Sequence, residues 1–280
     1  MKLAAVKRPG DGRGEKPDAI PAVPLEFSPR LYRWFVIYLR RFFAKRFTGV
    51  RIAWDGQPPE SLDGPTLFFS NHASWWDPVL FMVLCSHFYP GHQGFGPMDA
   101  KALEKYRFFR KLGAFPVERD SRRGAIDFLN TGRAVLARPD ASLWVTAEGK
   151  FTDARQRPVK LAPGIAHLAQ RVPDLTAIPL AVEYVFWNEP RPEVLVRFGL
   201  PITRPETPAG HARDLRGVFE EALEENQNTL ALMAQRRDPK AFDLLIDGNR
   251  GVGGIYDTWR RLRALAKGKH FDPRHEETRK

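Results

Sequence analysis

The stretch Thr66-Leu67-Phe68-Phe69-Ser70-Asn71-His72-Ala73-Ser74-Trp75-Trp76-Asp77-Pro78, with the apolar run Val79–Leu84 behind it, constrains this chain most. It begins with a short apolar run, which predicts a buried strand. Asp77 before Pro78 predicts a helix start, with Asp77 at the N-cap and Pro78 at the first helical position, where its missing N–H costs nothing. Between strand and helix lies a tight turn carrying Asn71, His72 and Ser74. Open α/β sheets place their ligands at such strand-to-helix turns. A histidine there, with a carboxylate five residues on, suits acid–base chemistry: the carboxylate fixes the tautomer and stabilises the imidazolium. Each residue also has a plainer role, Asp77 as a helix cap and His72 as a donor to a backbone carbonyl.

The chain has 280 residues and a net charge of +11. That length fits one large domain or two, with a sizeable core. The charge draws anionic partners: nucleic acid, anionic lipid, phosphate-bearing substrates or acidic carrier proteins. Cys85 is the only cysteine. An internal disulfide is therefore excluded, and Cys85 reads as a small core residue in a chain that a reducing compartment would tolerate. The first residues lack an apolar core of the signal-peptide kind, and no run of about twenty apolar residues predicts a membrane span.

Residues 1–28 are rich in Pro, Gly and charge and are expected to be a mobile tail. Residues 29–48 follow as a predicted helix. Tyr32, Trp34, Phe35, Tyr38, Phe42, Phe43 and Phe47 are interleaved with Arg30, Arg33, Arg40, Arg41, Lys45 and Arg46, and no acidic residue occurs from Pro29 to Phe47. This composition suits an amphipathic helix lying in a membrane interface; a surface helix packed on the domain is the competing reading.

Residues 49–270 are expected to form the main domain. Val50–Trp54 reads as a strand and Pro90–Pro97 as a Gly- and Pro-rich loop. His87 and His92, five apart with no third ligand nearby, do not define a metal site. Lys101–Leu112 reads as a basic helix ended by Gly113, and Ala114–Arg119 as a short strand that leaves Arg119 at the ligand edge of the sheet, where its fork suits a phosphate. Arg122–Arg138 is a predicted helix. The strand Ser142–Thr146 empties into Glu148-Gly149-Lys150, where the glycine lets the backbone approach a ligand and Glu148 can accept from a substrate hydroxyl. Lys160–Arg171 is expected to be helical, and Leu175–Trp187 a strand with an edge or bulge at Pro179. Glu193–Phe198 is expected to pair with it as a hairpin, and His211–Gln235 to be a long helix. Two shorter helices are expected around Gly248, Gly251, Gly253 and Gly254.

Several strand ends thus carry functional residues in order. This series resembles the glycerolipid acyltransferase family of the lysophosphatidic acid acyltransferase type. Asn71, His72 and Asp77 match its Asn-His motif with Asp five residues after the His. Gly113 and Arg119 loosely match its second motif. Of the third, Phe-Pro-Glu-Gly-Thr-Arg-Ser, only Glu148 and Gly149 are kept. Pro179 matches the fourth.

The resemblance covers roughly 50–200. It implies an α/β fold, with a mixed, mostly parallel sheet flanked by helices behind the N-terminal helix. It also implies an O-acyltransferase of lipid biosynthesis. His72 would be the catalytic base and Asp77 its holder. Asn71, Ser74, Arg119, Glu148, Gly149 and Lys150 would bind substrate.

The implied cosubstrate is acyl-CoA or acyl-carrier protein, and the acceptor a lysolipid. Neither metal nor cofactor is required. The implied location is peripheral, on the cytoplasmic face of a membrane bearing anionic lipid.

One departure bears on the acceptor. The third-motif arginine, expected with Arg119 to grip an acceptor phosphate, is Phe151 here. Either Lys150 or Arg155 compensates, or the acceptor is another amphiphile, such as an aminoacyl lipid or a glycosylated terpenoid.

The charge also fits a non-enzymatic basic module on membranes or nucleic acid, but no nucleic-acid-binding motif is present and nucleic acid is not an expected partner. No Gly-x-Ser-x-Gly elbow supports a serine hydrolase.

Overall fold

A computed structural model describes residues 23–203 and 212–249. The outer part of the expected tail, residues 1–22, and the glycine-rich stretch beyond residue 249 lie outside the described residues. A single mixed sheet organises the rest. Its strands are β1 (Gly49–Ala53), β2 (Thr66–Ser70), β3 (Gln93–Asp99), β4 (Ala114–Val117), β5 (Ala141–Thr146), β6 (Thr176–Val185), β7 (Glu193–Phe198), β8 (Ile202–Thr203) and β9 (Phe242–Asp247). The order is β4-β3-β5-β2-β6-β7-β1-β9, with β8 also on β6. Strands β4, β3, β5, β2 and β6 run parallel, as do β7 and β1, while β6 meets β7 and β1 meets β9 antiparallel.

Strand β2 is buried over all five residues. Phe68 joins one core, with Trp144, Ile178 and Leu180; Leu67 and Phe69 join another, with Leu143 and Leu168. A strand covered on both faces needs a continuous apolar run, not an alternating one. Helices α1 (Pro29–Arg46) and α2 (Asp77–Phe88) contribute to the first core, and α4 (Arg122–Leu136), α5 (Gly164–Arg171) and α6 (Ala212–Arg236) to the second. The short helix α3 (Ala100–Lys105) follows β3. Because α2 follows β2 on one face and α5 follows β5 on the other, the loops after these neighbouring strands part and leave a crevice between them.

Several expectations are corrected. The Gly- and Pro-rich segment expected to be a loop supplies β3. Gln93–Phe95 pairs with β5 and Gly96–Asp99 with β4. Its glycines serve close packing: a Cβ at Gly94 would lie 3.0 Å from Cys85 Sγ, and one at Gly96 would lie 2.8 Å from the Trp144 carbonyl oxygen.

The expected basic helix over 101–112 breaks at Tyr106 into α3 and a 3-10 turn, Arg107–Lys111. Gly113, at φ +97°, then passes under the Gly94 carbonyl, where no Cβ fits. The helix expected from Lys160 starts at Gly164.

Pro179 lies inside the sheet at a bulge, as expected: β6 pairs Leu180 with Phe198 but Ala177 with Ile202, so residues 178 and 179 face residues 199–201. Its carbonyl accepts from Gly199 N–H and the Asn226 amide in the gap between β7 and β8, where β6 has no ladder partner to miss the proline N–H. Residues 242–247, placed among shorter helices, instead form the edge strand β9.

The inner end of the expected tail packs. Ser28 N–H donates to the Lys111 carbonyl, Phe27 bridges to Leu112, and the Ser28 hydroxyl caps α1. Helix α1 buries Tyr32, Val36, Leu39 and Phe43, a stripe at helical spacing, and the Tyr32 hydroxyl donates to the Met82 carbonyl on α2 at 2.9 Å. The opposite side exposes Trp34, Ile37 and Tyr38. No helix among the described residues is long and apolar enough to cross a membrane.

Candidate active site

The turn after β2 delivers His72 to the crevice with both of its backbone polar groups held by the turn after β5. Glu148 Oε2 accepts from His72 N–H at 2.6 Å, and the His72 carbonyl accepts from Thr152 N–H at 3.0 Å. Gly149, at φ +70°, makes the reversal that allows residues 148 and 152 to flank one residue. Burial pushes the Glu148 carboxyl above the usual carboxylate range, opposed by the His72 amide.

Asp77 is fully buried beneath the imidazole. Its Oδ2 meets His72 Nδ1 at 2.8 Å and accepts from Ser74 N–H at 2.9 Å, while Oδ1 accepts from the Tyr184 hydroxyl at 2.7 Å. The carboxylate lies in the first turn of α2, at the positive end of the helix dipole. It occupies the first helical position and not the expected N-cap, which falls to Trp76 without a side-chain bond. The physical reason is competition: His72, Ser74 and Tyr184 take the carboxylate that would otherwise cap amides. Because a carboxylate only accepts, Nδ1 is the donor in this contact, which in a neutral imidazole leaves the lone pair on Nε2. Burial and the neighbouring Asp77 raise the Tyr184 hydroxyl well above its ordinary value, so it remains a donor.

A cavity of about 590 Å³ opens beside the imidazole. His72, Trp75, Thr146, Phe151 and Arg119 lie on its wall; Tyr32, Phe81, Cys85, Phe95 and Leu112 make it apolar further on. Burial pushes the Cys85 thiol up to about 11, which leaves it a packing group and not a nucleophile.

Of the expected site residues, the structure brings His72, Asp77, Ser74 and Glu148 into one network and sets Arg119 on the cavity wall. Asn71 is corrected. It is fully buried, its amide donates to the Val182 carbonyl and accepts from Val182 N–H at 3.0 and 2.9 Å, and it ties the end of β2 to β6 without reaching a substrate. Glu148 and Ser74 act through the His72 and Asp77 backbone and carboxylate contacts given above. Lys150 is exposed and outside the cavity lining, and Arg155 is taken by Asp153 at 2.7 Å.

Sequence reasoning missed Tyr184 and Trp75. The signal for Tyr184 was its place in an apolar strand, where a phenol needs a partner. Among the described residues no group of three His, Cys, Asp or Glu side chains is arranged around a metal.

A buried His–Asp pair at the strand ends of an α/β sheet, beside a long apolar cavity, is an arrangement suited to acid–base chemistry on an apolar substrate. Residues 51–183 match the family model described as Acyltransferase, and this segment, from β1 through most of β6, belongs to the glycerolipid acyltransferase family. The chain is therefore an acyltransferase acting on lipid. No curated protein matches it.

Proposed function

We propose that the chain transfers a fatty acyl group from acyl-CoA or acyl-carrier protein to a hydroxyl of a lysophospholipid or related amphiphilic lipid. The observation that carries this reading is the 2.8 Å contact of His72 Nδ1 with buried Asp77, on an imidazole that walls an apolar cavity. In the reaction Nε2 takes the acceptor's hydroxyl proton as that oxygen attacks the thioester carbonyl. The new C–O bond forms, the C–S bond breaks, and the imidazolium returns the proton to the departing thiolate. Asp77 holds the ring and stabilises its charged form. The route needs neither metal nor cofactor. The cavity takes the acyl chain.

The enzyme works peripherally, on the cytoplasmic face of a membrane containing anionic lipid. Trp34, Ile37 and Tyr38 are exposed on α1 beside Arg33 and Arg41. Phe35 stacks edge-on against Phe108 at 5.6 Å and Phe109 at 6.0 Å, both on the cavity rim. One surface of rings and cations therefore leads from α1 to the cavity.

Purified protein given labelled acyl-CoA or acyl-carrier protein with a panel of lysolipids and related lipid alcohols should form labelled product. His72→Ala should form none. Equal product from both proteins would sink the proposal. Because α1 is part of the core, its membrane role is tested by surface substitution and not by deletion. Trp34→Ser/Ile37→Ser/Tyr38→Ser should sediment less with anionic vesicles at unchanged melting temperature. Undiminished sedimentation would remove the interfacial role.

A further inference from the structure

Phe151 is exposed by 59%, yet its ring is held 4.2 Å from the His72 ring, tilted by 34°. The bond from Thr152 N–H to the His72 carbonyl and the reversal at Gly149 fix it there. Trp75, 66% exposed, lines the same cavity. Two water-exposed rings beside a polar catalytic pair contribute little packing to the fold, and they present an apolar platform where an acceptor must bring its hydroxyl.

Fixed charge on the cavity wall is sparse. Asp77 lies beneath the imidazole, Glu148 on its backbone, and Asp99 on the cavity wall. Arg119 is the cation lining the cavity among the described residues, and Asp99 already stands 3.9 Å from it. A phosphate next to the reacting hydroxyl would need several charge-assisted donors to replace its water. It would instead meet the Phe151 and Trp75 rings, the Asp99 carboxylate and a single guanidinium, Arg119, with Asp99 3.9 Å from it. The carbons of a glycerol or the C–H face of a sugar lose little water on a ring and gain its apolar contact.

We infer that the acceptor is an uncharged lipid alcohol, with no phosphate on the carbons flanking the reacting hydroxyl, and that Phe151 selects it. The inference rests on the acyltransferase reading above and narrows its acceptor class. The hydroxyl oxygen still forms the ester bond and the thioester sulfur still leaves with the proton; only the group beside that oxygen is specified.

The test compares a monoacylglycerol with its own phosphate ester, at equal chain length. Binding is followed by equilibrium dialysis of the labelled lipids below their aggregation limit, and kcat/KM by product formation. Wild type should favour the monoacylglycerol by about ten-fold or more in both. Phe151→Arg should move that ratio about ten-fold toward the phosphate ester, while Phe151→Leu should keep the preference and weaken monoacylglycerol binding a few-fold. Tighter binding of the phosphate ester by wild type, or an unmoved ratio in Phe151→Arg, would overturn the inference. The dialysis ratio decides it with or without turnover. Loss of the acyltransferase reading would show separately, as product formation indifferent to His72→Ala.

Discussion

On the β6 side of the crevice, Asn71, His72, Asp77 and Tyr184 hold one another and the strand backbone through hydrogen bonds of 2.7 to 3.0 Å. On the β3–β4 side the wall is Gly94, Gly96, Gly113 and a set of rings, with few polar contacts. A buried charge tolerates no loose partner, so the first wall is fixed in detail. The second wall must fit only a hydrocarbon volume, where shape decides and composition can vary. Chemistry and selectivity are thus separable here: one set of substitutions should stop the reaction, another should only redirect it.

Asp77→Asn tests the fixed wall most severely. An amide cannot accept from His72, Ser74 and Tyr184 as the carboxylate does, and it no longer stabilises the imidazolium. The turnover rate should fall by about 10²–10⁴-fold with acyl-donor KM little changed; a loss confined to KM would show that the pair binds and does not catalyse.

Tyr184→Phe removes one donor to Asp77. Turnover should fall by roughly ten-fold or less, and unfolding in urea should show a loss of about 1.5–3 kcal/mol. Full stability in that variant would mean that water replaces the hydroxyl.

On the apolar wall the effect should be one of preference. Gly94→Ala puts a methyl 3.0 Å from Cys85 Sγ. The preferred acyl chain should shorten, with selectivity changing by about 0.8 kcal/mol, roughly four-fold, per methylene. Adding Cys85→Ala should restore the longer chain, as read from competition between acyl donors. Failure of that rescue would place the acyl chain elsewhere.

The smallest expected effect lies outside both walls. Glu183 is buried on β6, and burial raises its carboxyl above the usual range, against the pull of Arg157 and Arg155 and with the push of Asp153. A raised carboxyl binds its proton more tightly folded than unfolded. Its contribution is therefore complete below the unfolded value, near pH 4, and is lost as pH rises through the folded value. Glu183→Gln should gain melting temperature relative to wild type between pH 4 and pH 7. A gain that is flat with pH would mean that the residue does not titrate in that window.

Much of the fixed wall was legible in sequence because it is local. Asp77 follows His72 by five positions, one helix start sets the angle between them, and the apolar run before them has to be a buried strand. The mostly parallel sheet was legible for a similar reason, since buried strands alternate with amphipathic helices. Strand β3 was not, because Gly94, Gly96 and Pro97 are turn residues by local preference and become strand only through partners at Ala114–Val117 and Ala141–Leu143. The bulge at Pro179 was legible from the proline itself, but the segment opposite it, residues 199–201 between β7 and β8, was not.

The sequence by itself determined the His72–Asp77 pairing, the helix that carries its carboxylate and the basic, aromatic face of α1. Those depend on short-range spacing, charge and periodicity, which are written along the chain. Only the tertiary structure decided that Tyr184 completes the Asp77 network, that Asn71 is a brace between strands, and that Phe151 stands over His72. Each of those depends on which strand ends become neighbours, and the sheet sets that by burying both faces of β2 between β5 and β6.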